Sequence, residues 1–261
     1  MAGSDCSGGA GIQADLKAFS ANETFGMSVI TSVVAENTTR VLSVFNVPVE
    51  EIQKQIDAVF EDIHVDAVKL GMLPTAEIIS AVADKLNEYK PSIIVCDPVM
   101  VATSGDALSE GGTVSTMREK LFPIVTLLTP NIPEAEAISG LEIKNENHME
   151  KAARIIMDMG VKNVLVKGGH LTGDAVDYLC TPEGVHKLVC KSVDSPNTHG
   201  TGCTLSSAIT ANLAHGMDML SAVTKAKNYI TEAIEKSFTV GKGHSPVNHF
   251  YDYYDLKGTV L

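Results

Sequence analysis

The sequence contains no tryptophan, and aromatic residues make up only 5% of its 261 positions. Hydrophobic residues still account for 44% of the chain, so its interior must be built mainly from aliphatic side chains and is large enough for a sizeable core. A chain of this length fits one large α/β domain or two small ones. No repeat, low-complexity tract or linker divides it, and we therefore predict a single domain over residues 1–261.

Sequence signals of several other function classes are also missing. The formal net charge of −12 argues against nucleic acid or an anionic membrane as the main partner, although one amide-lined site suffices for an anionic substrate. No apolar run is long enough to span a bilayer, and no secretory signal opens the chain. Five cysteines without C-x-x-C spacing favour a reduced, cytoplasmic setting. No histidine pair has zinc-ligand spacing, and no P-loop motif occurs.

Apolar segments of strand and helix type alternate through most of the chain. We predict strands at 27–35, 66–70, 92–96, 124–128 and 163–166, helices at 12–19, 50–63, 75–89, 148–159 and 220–238, and a hairpin at 175–180 and 185–190. This order predicts an α/β fold with a mostly parallel sheet, helices on both faces and a small hairpin near the C-terminal part of the sheet. Ligands of such sheets bind beyond the carboxyl ends of the strands. Polar residues follow the predicted strands there, namely Glu36, Lys69, Asp97, Asn131, Glu134 and Lys167.

The most informative stretch is N-T-H-G-T-G-C at residues 197–203, which leads into a predicted buried helix over 204–213. Two glycines two positions apart allow a tight loop whose amides point one way, and the helix N-terminus adds roughly half a positive elementary charge. Together they predict an anion site. Cys203 would lie in the first helical turn, where the same field lowers the pKa of a thiol. A Gly-rich turn packed over a small residue fits the same letters.

A second loop of small residues lies near the start of the chain. Residues 9–14 match the dinucleotide fingerprint G-x-G-x-x-A, and Glu36 stands where a ribose-binding acid would stand. The fingerprint requires a strand before its glycines, but only Met1 and Ala2 precede Gly3. We therefore reject the dinucleotide interpretation.

The polar residues at the strand ends suggest one type of chemistry. Asp97 and Glu134 can hold one Mg²⁺ through waters, although both also suit helix capping. Lys167, beside two glycines, can reach a phosphate, although a solvated lysine at a turn is an alternative. Lys69 is best explained as a lysine whose ammonium group is buried next to a partner. We expect His199 to orient its loop rather than to act as a base. The combination predicts phosphoryl transfer by positioning and electrostatics, with the loop thiol nearest the acceptor hydroxyl.

The sequence resembles the hydroxymethylpyrimidine/phosphomethylpyrimidine kinases of the ribokinase superfamily over nearly its whole length. The motifs that carry the resemblance are A-G-S-D at 2–5, S-G-G-A-G-I-Q-A-D-L-K at 7–17, D-P-V-M at 97–100, T-P-N at 129–131 with Glu134, K-G-G-H at 167–170, and the 197–203 stretch. This resemblance implies a ribokinase-like fold. It also implies two ATP-dependent phosphorylations of 4-amino-5-hydroxymethyl-2-methylpyrimidine in thiamine biosynthesis, with Mg²⁺ as the metal, and it is compatible with a homodimer.

The resemblance also implies a role for individual residues. Gly200, Thr201 and Gly202 would form the anion hole, and Cys203 stands where most members of the superfamily carry an aspartate base. Asp97 and Glu134 would order Mg²⁺, while Asn131, Lys167, Thr198 and His244 would bind the nucleotide, with Gly243 and His244 bordering the adenine pocket. Glu36 would accept a hydrogen bond from the aminopyrimidine, and Gly3, Asp15, Val99 and the soft apolar Met72 would surround the ring.

Two departures from the family and two alternatives remain. The family usually has an apolar first strand, whereas only Met1 precedes Ala2 here, so either the sheet lacks a central strand or the chain is shortened there. Cys6 stands where serine is common. The nearest alternative is a pyridoxal kinase of the same superfamily, against which Glu36 argues. The other alternative is a non-catalytic pyrimidine or nucleotide sensor, which would have lost Asp97, Glu134 or the loop glycines. This sequence retains all of them.

Overall fold

The computed structural model describes residues 1–100, 112–169 and 175–253. Most of the predicted loop over 102–112, together with His170, lies outside these ranges. A π-helical turn (Met117–Leu121) and a 3₁₀ turn (Phe122–Ile124) follow a short helix at Thr113–Thr116. In chain order the elements are β1 (Ala2–Asp5), α1 (Gly11–Ala21), β2 (Ile30–Asn37), β3 (Arg40–Asn46), α2 (Val49–Phe60), β4 (Val68–Leu70), α3 (Ala76–Tyr89), β5 (Ile94–Cys96), α4 (Thr113–Thr116), β6 (Leu127–Leu128), α5 (Ile132–Ser139), α6 (Glu146–Asp158), β7 (Asn163–Lys167), β8 (Ala175–Thr181), β9 (Gly184–Cys190), α7 (Thr201–Ala214) and α8 (Met219–Glu235).

The strands form two sheets that meet at Met1. The first has the order β1-β2-β3 and the second β4-β5-β6-β7-β8-β9. Strands β1 and β2 are parallel, as are β4 to β7, whereas β3, β8 and β9 run antiparallel to their neighbours. The Met1 amine donates to the Lys69 carbonyl at 2.8 Å, and the Gly71 N–H donates to the Met1 carbonyl at 2.9 Å. The prediction of a mostly parallel sheet with a late hairpin is therefore confirmed.

The strands differ from the predictions in three places. A sheet without its first central strand is not what the structure shows, because Ala2–Asp5 form β1 and pair in parallel with β2. Strand β3 was not predicted, since exposed apolar side chains interrupt the alternation expected of a half-buried strand. Strand β6 is limited to Leu127–Leu128, because the preceding residues Phe122–Ile124 turn as a 3₁₀ helix.

Each central strand contributes side chains to both faces of the sheet. On β5, Ile94 and Cys96 pack in the core with α2, α3 and α6, while Val95 packs on the opposite face with α7 and α8. On β7, Val164 and Val166 face the first core and Leu165 faces the second. Because successive side chains of a strand point to opposite faces, a continuous apolar strand needs helices on both sides.

Helix α7 is buried along residues 204–213, which confirms the predicted buried helix. Its hydroxyl side chains donate to carbonyls one turn earlier: Thr204 to Gly200 at 2.8 Å and Ser206 to Gly202 at 2.9 Å. Such back-bonding satisfies hydroxyl groups that would otherwise be unpaired in the interior. The loop carbonyls therefore point into the helix, and the loop amides at its N-terminus remain free of intrahelical partners.

Candidate functional site

One cleft of about 180 Å³ lies beyond the carboxyl ends of the strands. It is lined by every residue predicted for the site except Asp15 and His244. The lining residues come from β1, β2 and the loops after β4 to β7, on one side, and from the start of α7 on the other. The end of the sheet thus brings together residues that are far apart in the sequence.

The N-terminus of α7 needs glycine at position 200 and has little room for a side chain at position 202. Gly200 has a φ of 76°, in the left-handed region, and a Cβ there would collide with the carbonyl oxygen of Gly9. A Cβ on Gly202 would lie 3.2 Å from Asp97 Oδ2 and 3.3 Å from Lys167 Nζ. These distances show that the second glycine faces the carboxylate and the ammonium group directly.

Asp5 connects the first loop to the loop before α7. Its carboxylate accepts backbone N–H groups of Ser7, Gly9 and Ala10 at 2.7, 3.0 and 2.8 Å. The same carboxylate lies 3.0 Å from His199 Nε2. Although burial alone would raise the pKa of Asp5, hydrogen bonds from His199, Ser7 and Ala10 lower it to about 2. Sequence reasoning gave Asp5 no role; the only available signal was its place in the A-G-S-D motif.

Glu36 lies near the end of β2 and lines the same cleft. Burial, together with the negative charge of Asp5, raises the pKa of its carboxyl to about 7, whereas His199 opposes the shift. The carboxyl group is therefore a titrating group near neutral pH. Gly3, Met72 and Val99 lie in the same cleft, and Met72 packs close enough to Gly3 that a Cβ there would lie 2.7 Å from its Cε.

Asp97, Lys167 and Glu134 form a charged group beside the anion loop. Lys167 Nζ lies 2.8 Å from Asp97 Oδ1, and the lysine tip is largely buried, so the alternative of a solvated lysine at a turn is wrong. Asn131 and Glu134 form a capping box at α5, with hydrogen bonds of 2.8 and 2.9 Å. Burial raises the pKa of Glu134 to about 7, and nearby Asp97 adds to the shift while Lys167 opposes it.

The Cys203 thiol lies in the first turn of α7 and accepts a hydrogen bond from the Gly11 amide. Burial raises the pKa of the thiol to about 11, although the nearby Lys69 ammonium works in the opposite direction. The predicted lowering of this pKa is therefore wrong. The free energy of withdrawing a thiolate from water outweighs the favourable field of one cation and a helix N-terminus.

Lys69 and Asp15 form a buried ion pair beneath the cleft. Lys69 Nζ lies 2.7 Å from Asp15 Oδ1, and their side chains are 1% and 3% exposed. The Asp15 carboxylate also accepts the Ser207 hydroxyl at 2.8 Å. The prediction that Lys69 has a buried partner is confirmed. Asp15 does not line the cleft, contrary to the prediction, because α1 directs it at this lysine inside the protein.

The tail that contains His244 packs against the turn after β2, and His244 does not line the cleft. The His244 N–H donates to the Thr38 carbonyl at 2.8 Å, and the Gly243 N–H donates to the Thr38 hydroxyl at 3.1 Å. The tail therefore covers the turn between β2 and β3, and the role of Gly243 and His244 at the adenine pocket stays a prediction.

A second cavity, of about 330 Å³, adjoins the cleft beside α7 and α8. It shares Asn131, Lys167, Thr198, Thr201 and Gly202 with the cleft. Its other walls include apolar side chains that the sequence did not single out, namely Val193, Leu205, Ile230 and Ile234. These residues look like ordinary helix and loop residues in the sequence, and only the packing of α8 against the sheet brings them together.

The profile of the phosphomethylpyrimidine kinase family matches residues 5–248. The chain belongs to this family. It is 44% identical, over 96% of its length and 95% of the relative's, to the hydroxymethylpyrimidine/phosphomethylpyrimidine kinase of Haemophilus influenzae. It is 49% identical to the bifunctional thiamine biosynthesis protein of Geobacter sulfurreducens; that match covers 98% of this chain but only 53% of the relative.

The fold is shared with solved kinases of the same superfamily. The ADP complex of pyridoxal kinase from Bacillus subtilis superposes with a TM-score of 0.89, at 39% identity and with 95% of each chain covered. The kinase is therefore a ribokinase-like phosphotransferase. Among its described residues, no helix is long and apolar enough to cross a membrane.

Proposed function

We infer that this kinase transfers phosphate from ATP to 4-amino-5-hydroxymethyl-2-methylpyrimidine and then to the resulting monophosphate, in thiamine biosynthesis. The observation that carries the proposal is a single cleft lined by a carboxyl group, Glu36, by the thioether of Met72 and by the Gly200–Cys203 loop. An aminopyrimidine needs a polar partner for its amine and an apolar wall for its ring. A phosphate needs amides and a helix N-terminus.

The shared border of the two cavities supports a position for the phosphates of ATP. Lys167 and Gly202 line both cavities, so a nucleotide in the second cavity would direct its terminal phosphate at the loop before α7. We assign the phosphate contacts to Asn131, Lys167 and Thr198. The apolar wall formed by Val193, Leu205, Ile230 and Ile234 would enclose the adenine.

Asp97 and Glu134 have the chemistry required to hold Mg²⁺ at that border. Mg²⁺ prefers oxygen ligands and usually binds through one or two carboxylates together with waters and substrate phosphates. Asp97 directs Oδ1 at Lys167, while its Oδ2 lies beside Gly202 and can therefore face the phosphates. When bound, the ion would neutralise charge on the transferring group.

The chain's own residues supply the rest of the chemistry. Amides at 200–203 would stabilise charge on the transferring phosphoryl group because they point there before the reaction begins. The acceptor hydroxyl loses its proton late in a loose transition state, so its acceptor need not be a strong base. Cys203 is the group we assign to that proton.

A competition assay tests the substrate assignment against pyridoxal kinase, the alternative favoured by the 0.89 TM-score to the Bacillus subtilis enzyme. ATP consumption is measured with the aminopyrimidine alcohol, with its monophosphate and with pyridoxal. We expect turnover of both pyrimidines and a lower kcat/KM for pyridoxal. Equal or better use of pyridoxal would overturn the assignment. Chelation of Mg²⁺ should stop turnover and leave binding of the pyrimidine intact.

A second copy of the chain is the partner that we propose for β3. This edge strand exposes Leu42 and Phe45 at 60% and 66% of their surface, next to Val33 and Val44. An exposed apolar edge strand tends to pair with another chain. We expect a dimer in sedimentation equilibrium, and Phe45→Lys should shift it towards monomer. Val189→Lys, at an exposed position on the opposite edge strand, is the control and should leave the dimer intact; a monomeric wild type would contradict the proposal.

All five cysteines are free thiols, and ATP is a cytosolic substrate. Both points support the cytoplasm as the location of the enzyme. Fractionation of cells that express the chain would check it.

A further inference from the structure

We propose that Glu36 meets the pyrimidine ring as a neutral carboxylic acid, and that Asp5 is the positioning residue that keeps it in this form. The inference rests on the proposed function, because it takes the aminopyrimidine as the ligand. It differs from the expectation raised by the sequence, in which Glu36 binds as an ionised carboxylate.

The two carboxyl groups lie unusually close together. Asp5, Glu36 and His199 each present a side-chain atom within 4.8 Å of the other two. Glu36 is also half-buried, so little water is available to screen a negative charge on it from that of Asp5. Because two negative charges this close disfavour each other, one member of this pair carries a proton.

Asp5 is the member that stays ionised. It accepts N–H groups from Ser7, Gly9 and Ala10, the Ser7 hydroxyl at 2.9 Å, and faces His199 Nε2 at 3.0 Å. A carboxylate with this many donors is strongly stabilised in its charged form. The proton therefore belongs to Glu36, in agreement with the raised pKa of that group.

The charged surroundings come from three elements. Asp5 faces Glu36 from β1 and His199 faces it from the loop before α7, and their effects on its carboxyl are opposite. Lys17, on α1, acts on Asp5 and holds the Gly8 carbonyl at 2.7 Å. The cluster is thus a hydrogen-bonded network whose central carboxylate is already fully occupied by donors.

The neutral acid matches the edge of the ring. An aminopyrimidine presents an N–H donor on its exocyclic amine next to an acceptor, the ring nitrogen. A carboxylic acid presents a C=O acceptor next to an O–H donor, so two parallel hydrogen bonds form. An ionised carboxylate would instead direct an oxygen lone pair at the lone pair of the ring nitrogen.

The proton stays in the site during binding. In the free enzyme the O–H of Glu36 lies in the cluster with Asp5 and His199, and on binding it turns to the ring nitrogen. Asp5 keeps its own donors throughout. Where Glu36 is already protonated no proton is exchanged with solvent, and above its pKa the complex takes up one proton. Pyridoxal has no exocyclic amine and cannot form the pair of hydrogen bonds.

The experiment measures the Kd of the aminopyrimidine alcohol by calorimetry between pH 6 and 9. For the wild type we expect a Kd that is constant below the pKa of Glu36 and rises about tenfold per pH unit above it. Glu36→Gln is the matched variant, because its amide presents the same C=O and N–H edge at every pH. At pH 6 its Kd should lie within about threefold of the wild-type Kd, a difference smaller than one neutral hydrogen bond. Its Kd should change with pH only where the free pyrimidine itself titrates.

Asp5→Asn tests the positioning role. Loss of the negative charge should lower the pKa of Glu36, so the break in the pH profile should move to lower pH. ATP binding and the melting temperature of this variant show whether it is folded, and if it is not, the wild-type and Glu36→Gln profiles decide. A flat wild-type profile, or a Glu36→Gln variant that fails to bind at pH 6, would overturn the inference. If the wild-type Kd does not change with pH but the pyrimidine is still phosphorylated, the inference fails and the proposed function remains. If the pyrimidine is phosphorylated at no pH, the proposed function is itself wrong.

Discussion

At the scale of single residues, burial decides more than position in a motif. The N-T-H-G-T-G-C stretch correctly indicated a loop at a helix N-terminus, but not the state of its thiol. Cys203 is withdrawn from water and its pKa rises to about 11. If the thiolate is the form that accepts the proton, its fraction grows about tenfold per pH unit below that value.

The first prediction therefore concerns Cys203. Cys203→Ala should lower kcat by about 10²–10⁴-fold, the usual contribution of a general base, and leave the dissociation constants of ATP and pyrimidine nearly unchanged. Wild-type kcat should still rise between pH 7 and 9, because the pKa of the thiol lies above this window. Cys203→Asp should recover part of the rate and move this rise to lower pH, because a carboxyl group loses its proton at lower pH than a thiol. Steady-state kinetics at several pH values give kcat for the wild type and for both variants. If Cys203→Ala lowers kcat by less than about threefold, the thiol has only a structural role.

The second prediction at this scale concerns Glu36. Removal of its side chain with Glu36→Ala deletes hydrogen bonds worth roughly 1.5–3 kcal/mol in a partly buried site. The pyrimidine should then bind about 10- to 100-fold more weakly, while the Kd of ATP barely changes. Calorimetric titrations with each ligand would check this, and unchanged pyrimidine affinity would remove Glu36 from the site.

At the scale of elements, the geometry of α7 and its loop depends on one close approach. Gly200 and Gly216 both have left-handed φ values, 76° and 81°, but only Gly200 lies against another backbone segment. Gly216→Ala should cost about 1–2 kcal/mol of stability through φ alone. Gly200→Ala should cost more and also weaken ATP binding, because the added Cβ pushes the loop away from Gly9. Urea denaturation and nucleotide titration of both variants compare them; equal stability losses with intact ATP binding would show that the approach is unimportant.

At the scale of the whole molecule, the two sheets join at Met1, and this junction is incompletely packed. A cavity of about 100 Å³ lies there, lined by α1, the segment before β2 and the start of β4. Burial lowers the pKa of the Met1 amine to about 5. An extension of three β-branched residues ahead of Met1 should raise the melting temperature, because it fills the cavity and replaces the amine with an amide. Each kcal/mol gained corresponds to about 2–4 °C in a domain of this size.

The pH dependence separates this effect from simple lengthening of the chain. The pKa of the Met1 amine is 8.0 in the unfolded chain and about 5 in the folded one. Between these pH values the unfolded chain binds more protons, so the stability of the folded chain rises with pH. The stabilisation by the extension should therefore be larger at pH 5 than at pH 8. A Gly-Gly-Ser extension is the control for the filled cavity. Equal melting temperatures for the two extensions would show that the strand needs no continuation.

The sequence predicted most of the architecture because aliphatic strands with helices on both faces have a strong local signature. Val95 and its neighbours on β5 illustrate it, as does the buried run of α7. It failed where the outcome depended on distant residues. Asp15 pairs with Lys69 instead of lining the cleft, and β3 has no half-buried face to reveal it. These arrangements depend on packing between distant parts of the chain, which produces no signal in the local sequence.

The contact between Asp5 and His199 spans 194 positions of the sequence. Closing so long a loop has a high entropic cost and slows folding, so contacts of this kind form late. The cleft therefore exists only after both ends of the chain have met. A growing polypeptide has no ligand site until residue 199 has been synthesised, and substrate can stabilise the folded enzyme but cannot guide the early steps of its folding.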